Sequence, residues 1–295
     1  MATLRAIQRR IKSVRNISQV TRAMEMVAAS KMRRAQSATL SSRAYAEKAW
    51  EVLRYVAAQP GRNKMLHPLL EERKEIKNVT LVLITSDRGL CGAYNMNIIR
   101  AAFDFMKQHE EKNPVRLITI GRRGREIASR TGKSIIAEFT GLSERPSILD
   151  IGPITKVAIE EFVAGRADQV HIAYTDFVNV IVQKPQIKQL LPLHPPKEKS
   201  EGLGAVYLYE PDPETLLDSI LPRFTELQIY QALLEALASE WASRMVAMRN
   251  ATDSAQELIG DLSLAYNKAR QWNITKEMLD IAGGAEALRQ ALARK

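Results

Sequence analysis

The sequence predicts an all-α element joined to an α/β element: a long antiparallel coiled coil built from the two ends of the chain, with an α/β domain inserted between them. Three observations predict it. Residues 1–59 contain neither proline nor glycine, an apolar stripe of helical spacing runs from Leu216 to Trp272, and β-branched runs alternate with helical stretches between them.

The N-terminal element comes first. From Leu4, apolar residues recur at Ile7, Ile11, Val14, Ile17, Val20, Met24 and Val27, in steps of three and four that place them along one side of a helix. With Pro60 as the first breaker, the helix is expected to end at about residue 57, roughly 85 Å long at 1.5 Å per residue. Residues 58–77 then read as a connector. Next come apolar runs at 79–84 (VTLVLI), 115–120 (VRLITI) and 170–174 (VHIAY), which alternate with helical stretches at about 95–112, 121–131 and 153–165. This alternation implies a mostly parallel sheet and a Rossmann-like inserted domain over 78–193. Two further β-rich segments, 177–183 and 187–191, flank Pro185 and read as an antiparallel pair. The Pro-, Gly- and charge-rich stretch 194–211 reads as a linker.

The C-terminal element, 212–295, begins at a helix-start signal, Asp212-Pro213 followed by Glu214. Its stripe passes through Leu216, Ile220, Phe224, Leu227, Leu234, Leu237, Trp241, Met245, Met248, Ala255, Leu262, Ala269 and Trp272, with Pro222 expected to kink the first turns and Gly283-Gly284 expected to stop the helix near Ile281. Two seams of this length bury each other most economically as an antiparallel hairpin, in which facing positions have numbers summing to about 270. That register lays "AMEMVAASKMRRAQ" (23–36) against "ASRMVAMRNATDSA" (242–255), both rich in the small residues that permit close axial approach. It also leaves some thirty C-terminal residues without a partner on their own chain, so an enclosing molecule is expected.

Charge is distributed unevenly. The net charge is +10, and the first sixty residues hold twelve Lys/Arg against three acids, whereas residues 211–295 hold nine against twelve. The two ends are electrostatically complementary. Cys91 is the single cysteine, which excludes an internal disulfide and a Cys-rich metal site. No run approaches the roughly 20 apolar residues needed to span a bilayer. The Arg-rich, acid-free first twenty residues have the composition of either a structural helix or a transit segment.

Catalytic signatures are missing: there is no G-x-x-x-x-G-K-[ST], no H-E-x-x-H and no G-x-S-x-G. No cofactor or metal is expected. "SDRGLCGAY" (86–94) occupies the post-strand position where α/β domains bind ligands, but reads better as a structural turn with Gly89 and Gly92 at positive φ. "GRRGRE" (121–126) could cradle an anion at a helix start or form a solvated turn. Cys91 reads as a small packed thiol, and His67, His109, His171 and His194 lack ligand spacing. The basic N-terminal helix could meet nucleic acid, yet its first 44 positions offer no aromatic for stacking and its apolar seam is occupied; nucleic acid is not expected as a partner.

The segments "VTRAMEMVAASKMRRAQ" (20–36), "TSDRGLCGAYN" (85–95), "YLYEPDPETLL" (207–217), "YQALLEALASEWASRMVAMRNATDSA" (230–255) and "LAYNKARQWNITKEMLDIAGGAEAL" (264–288) resemble the gamma subunit of the F-type ATP synthase, in order and over essentially the whole chain. The resemblance implies a central rotor shaft turning inside a ring of α and β subunits, with catalysis in β and no catalytic residues here. It implies that the chain couples rotation of the membrane c-ring to conformational changes in β, and that it regulates ATPase activity and proton flow. It implies α, β, epsilon and the c-ring as partners, with peripheral, indirect membrane association at the cytoplasmic face of a bacterial plasma membrane. It resolves the basic N-terminus as the shaft helix itself. By motif position it implies contact with β at Met24, Lys31, Arg33, Arg34, Arg244, Arg270, Gln271 and Thr275, and contact near the c-ring and epsilon at Tyr207 and Glu210. Trp241 and Trp272 depart from the family pattern, so local shaft packing there is expected to differ.

Overall fold

The computed structural model describes residues 4–57, 67–73, 75–110, 114–194 and 213–293. The chain divides into two compact units, Met1–Met26 with Ala247–Lys295, and Val27–Val246. Two helices, α1 (Leu4–Ala57) and α5 (Pro213–Ala293), contribute to both.

In the first unit the two helices run antiparallel, and the Thr21 and Thr252 hydroxyls meet at 2.7 Å. On α1 the half-buried Leu4, Ile7, Ile11, Val14, Ser18, Thr21 and Glu25 form one seam, with half-buried Met24 beside it, while on α5 Met248, Thr252, Ala255, Ile259, Leu262, Tyr266 and Ala269 face inward. Both sets alternate steps of three and four, the heptad spacing of a left-handed coiled coil. This corrects the expected seam. Ile17 and Val20 are 52% and 59% exposed, because two successive steps of three would carry the seam around the helix and away from its partner. Hydroxyls take their places, within reach of the Ser18 carbonyl at 3.1 Å for Thr21 and of the Met248 carbonyl at 2.9 Å for Thr252, so that one donates to its carbonyl and the other across the pair. The facing numbers sum to 273 at the threonine pair, close to the expected register.

Beyond Ala269, α5 continues as an exposed helix through Gly283 and Gly284 to Ala293. The expected stop near Ile281 does not occur. Each glycine costs about 1 kcal/mol relative to alanine, but both lie in open space, and strong helix formers (AEALRQALA) follow them.

The second unit is an α/β domain packed on its own segments of α1 and α5. Strands β1 (Val79–Ile84), β2 (Val115–Ile120), β3 (Ile135–Phe139), β4 (Gln169–Phe177) and β5 (Gln183–Leu191) form one sheet in the order β3-β2-β1-β4-β5. The first four are mutually parallel, and β5 pairs antiparallel with β4. Every β1 residue is buried, as a central strand covered on both faces requires. Leu81 and Leu83 pack with α2 (Tyr94–Glu110) and α3 (Arg122–Arg130), through Ile98, Ala102, Met106 and Ala128. Val82 and Ile84 face the other way, toward α4 (Ile148–Val163) and the α5 residues Leu221, Phe224, Leu233 and Ala236. The long C-terminal helix therefore supplies part of one helical layer of the sheet.

Two strand expectations change. The short edge strand β3 was not anticipated, and 177–183 does not form a strand of its own. Only Phe177 and Gln183 are paired there, with each other. Between them, the Asn179 side chain accepts from the amides of Ile181 and Val182 at 2.9 and 2.8 Å, turning the chain despite its β-branched composition. Pro185 lies within β5, where an edge strand tolerates a missing donor.

Candidate functional site

In a sheet of this order the ligand crevice is expected where β1 has β2 on one side and β4 on the other, beyond the strands' carboxyl ends. The loop after β1 is folded tightly upon itself there. The Asn95 carboxamide accepts from the Ser86 amide at 3.0 Å and donates to the Cys91 sulfur at 3.2 Å, and the Ser86 hydroxyl donates to the Arg88 carbonyl at 2.6 Å. Gly92 has positive φ as expected; Gly89 does not, and Leu90 adopts φ 62° instead.

α5 packs across this crevice and leaves a cavity of about 220 Å³ between Asp87, Gly121, Glu240, Trp241 and Arg244. Ser239 Oγ donates to the Thr175 carbonyl at 3.0 Å, Ser243 Oγ to that of Cys91 at 2.7 Å, and the Arg244 guanidinium to those of Gly89 and Arg88 at 3.2 and 3.4 Å. Arg244 is 5% exposed and also meets Glu240 at 2.6 Å. Burial pushes the Glu240 carboxyl upward and Arg244 opposes that shift. Burial likewise raises the Cys91 thiol, against Arg244, so Cys91 is a packed thiol rather than a poised nucleophile.

The anion cradle at the start of α3 is also taken from within. Asp87 accepts from the amides of Arg122 and Gly141, each at 2.9 Å, and Thr85 Oγ1 accepts from that of Gly124 at 2.9 Å. The backbone must come close here: a Cβ on Gly121, whose φ is 93°, would lie 2.1 Å from the Thr85 carbonyl oxygen. An acid three residues past the strand's end and two before the first glycine of the turn, Asp87, is the signal that could have shown the cradle to be self-occupied.

The residues singled out by the resemblance divide into two groups. Lys31 is inside the second unit, its ammonium 2.5 Å from Glu144 and 4.6 Å from the Trp241 ring centroid; the Arg244 guanidinium lies at the same distance from that ring. Trp241 thus sits in a small core with Ala28, Met32 and Ala242, its ring approached by a cation from α1 and by one from the next turn of α5. Arg33 and Arg34 are exposed, and Arg34 touches only Ser30 Oγ, at 3.3 Å, among the described residues. In the first unit Met24 is half-buried beside the seam, and Arg270, Gln271, Trp272 and Thr275 are exposed on α5. Tyr207 and Glu210 lie outside the described residues.

The histidines hold structural places: His67 meets Asp218 at 3.3 Å, His194 meets Glu72 at 3.3 Å, and His109 and His171 flank Phe105. Among the described residues, no three His, Cys, Asp or Glu side chains converge as a metal site, and no helix is long and apolar enough to cross a membrane.

A long C-terminal helix that packs across the crevice of an α/β domain and also pairs with the N-terminal helix is the architecture of a stalk protein. The family model described as ATP synthase matches residues 3–288. Relatives named ATP synthase gamma chain are 52% identical in Dehalococcoides mccartyi, over 98% of this chain and 100% of the relative, and 48% identical in Roseiflexus castenholzii, over 98% and 99%. The chain belongs to the ATP synthase gamma-chain family. Among solved structures, a central stalk and c-ring chain of Tetrahymena thermophila mitochondrial ATP synthase is 27% identical with a TM-score of 0.60, covering 79% of this chain and 99% of its own. A chain of the Euglena gracilis mitochondrial ATP synthase matches over 97% and 94% with a TM-score of 0.67; at 20% identity it shows the shared fold.

Proposed function

We propose that this chain is the shaft that couples rotation of a membrane c-ring to successive conformational changes of the catalytic β subunits, for ATP synthesis or hydrolysis, and that it thereby regulates ATPase activity and proton flow. The observation that carries the reading is the exposed end of α5. Trp272, Met278, Leu279, Ile281, Leu288 and Leu292 are all exposed large apolar side chains on one continuous helix, a surface that water alone does not favour and that fits enclosure by a ring of partners.

In this reading Met24, Lys31, Arg33, Arg34, Arg270, Gln271 and Thr275 face β, whereas Arg244, expected there too, is 5% exposed and ties α5 to the loop after β1 instead. Tyr207 and Glu210 lie toward the c-ring and epsilon. Exposed ion pairs are worth about 0–1 kcal/mol each, which suits a contact that breaks and re-forms on every turn. Energy passes as coupling between subunits rather than through bond-making groups of this chain. Membrane association is peripheral and indirect, on the cytoplasmic side.

Co-purification tests this directly. A tagged chain expressed in cells that make the complex is expected to bring down α, β and epsilon in fixed stoichiometry and to retain them in high salt. Recovery as a free homodimer, or with RNA, overturns the reading.

A further inference from the structure

Between α1, α5 and the loop before α4 lies a second cavity, of about 380 Å³, wholly within the α/β unit and adjoining the crevice cavity through Glu144 and Leu237. Its volume falls in the lower part of the ~300–1,000 Å³ range of small-molecule sites. Ala35, Ala38, Leu234 and Leu237 give it an apolar lining, and Tyr230 closes one side, its hydroxyl donating to the Pro146 carbonyl at 3.3 Å. Arg34 and Arg145 also line it. Neither guanidinium is ion-paired among the described residues. The one acid in the lining, Glu144, is held by Lys31 at 2.5 Å.

We infer that this cavity is a binding site for a compact amphipathic monoanion, a carboxylate or sulfonate carried on an aromatic or branched aliphatic body. The apolar body lies against Ala38, Leu234 and Leu237, and the anion takes the Arg34 and Arg145 guanidinium groups, whose planar fork matches an oxyanion. A bound anion also offers Lys31 an alternative to Glu144. Occupancy therefore loosens the tie between α1 and the loop before α4, which makes the site a control point on the contact between shaft and α/β domain. This inference stands whether or not the rotor reading does.

The test uses the full chain with 13C-methyl-labelled leucine, titrated with 1-naphthaleneacetate and, separately, with its uncharged isostere 1-naphthaleneacetamide. The acid is expected to shift the Leu234 and Leu237 methyl resonances saturably, and the amide to bind at least tenfold more weakly. Arg34→Gln combined with Arg145→Gln, both surface changes that leave the core intact, is expected to weaken the acid at least tenfold. Glu144→Gln, which frees Lys31, is expected to tighten it. Absence of a saturable shift at the two leucines, equal binding of acid and amide, or an unchanged Kd in the double arginine variant overturns the site. An unchanged Kd in Glu144→Gln overturns the competition for Lys31.

Discussion

Arg244 donates to the carbonyl of Gly89 at 3.2 Å across 155 positions of sequence, tying the C-terminal helix to the loop that follows the first strand. The same guanidinium holds Glu240 at 2.6 Å. Removing it leaves a buried carboxyl and two carbonyls unpartnered. Arg244→Ala is expected to destabilise the chain by about 3–5 kcal/mol, the usual cost of breaking a buried pair from one side, read as the urea midpoint of the full chain. Adding Glu240→Gln is expected to restore part of the loss; a double variant no more stable than Arg244→Ala would show that the buried charge is not its source.

His171 gives a pH dependence. Burial, with His109 nearby, lowers its pKa from 6.5 to about 4, and Phe105 and Gln169 are its other close neighbours. The folded state therefore favours the neutral ring. That stabilisation is fully present above pH 6.5 and is lost as pH falls from 6.5 toward 4, by up to about 3 kcal/mol at 1.36 kcal/mol per unit. Urea unfolding at pH 7.5 and 5.0 measures it, and His171→Phe is expected to flatten this part of the profile.

Met24 is half-buried beside the seam rather than at a heptad position, so a lysine there can keep its stem on the helix pair and its ammonium in water. Met24→Lys is expected to change stability by less than about 1 kcal/mol while lowering the number of protons pumped per ATP hydrolysed in the assembled complex. A normal ratio would remove Met24 from the interface with β.

Glycines at different places make opposite predictions. Gly121→Ala puts a Cβ 2.1 Å from the Thr85 carbonyl oxygen in a left-handed conformation, and is expected to cost about 3 kcal/mol or more through clash and strain. Gly283→Ala and Gly284→Ala, in open helix, are each expected to raise the helicity of the isolated chain, worth about 0.5–1 kcal/mol. Circular dichroism and urea unfolding together distinguish the two cases.

Hydrophobic spacing revealed both long helices, three of the parallel strands and the near register of the hairpin, because each rests on a period repeated many times. It misplaced Ile17 and Val20 because it followed apolarity rather than the alternation of three and four, and small polar residues such as Ser18 and Thr21 carry no hydrophobic signal. It overlooked Ile135–Phe139, a strand too short to repeat its period, and took 177–183 for a strand because one Asn side chain outweighs four β-branched neighbours. The internal place of Arg244 was hidden for another reason: carbonyls from the loop after β1 are its partners, and no residue type announces a carbonyl.

The alternating seam of the first unit has one more consequence. Two strands wound left-handed around each other behave as a rope: twist applied in the sense of the winding draws them together, and twist in the opposite sense opens them. Around the Thr21–Thr252 pair the seam holds small side chains, between larger ones at Ile7, Ile11 and Val14 on one helix and Ile259, Leu262 and Tyr266 on the other. The pair therefore meets torque of the two hands differently, and the three-four spacing of Val14, Ser18 and Thr21 sets which hand tightens it.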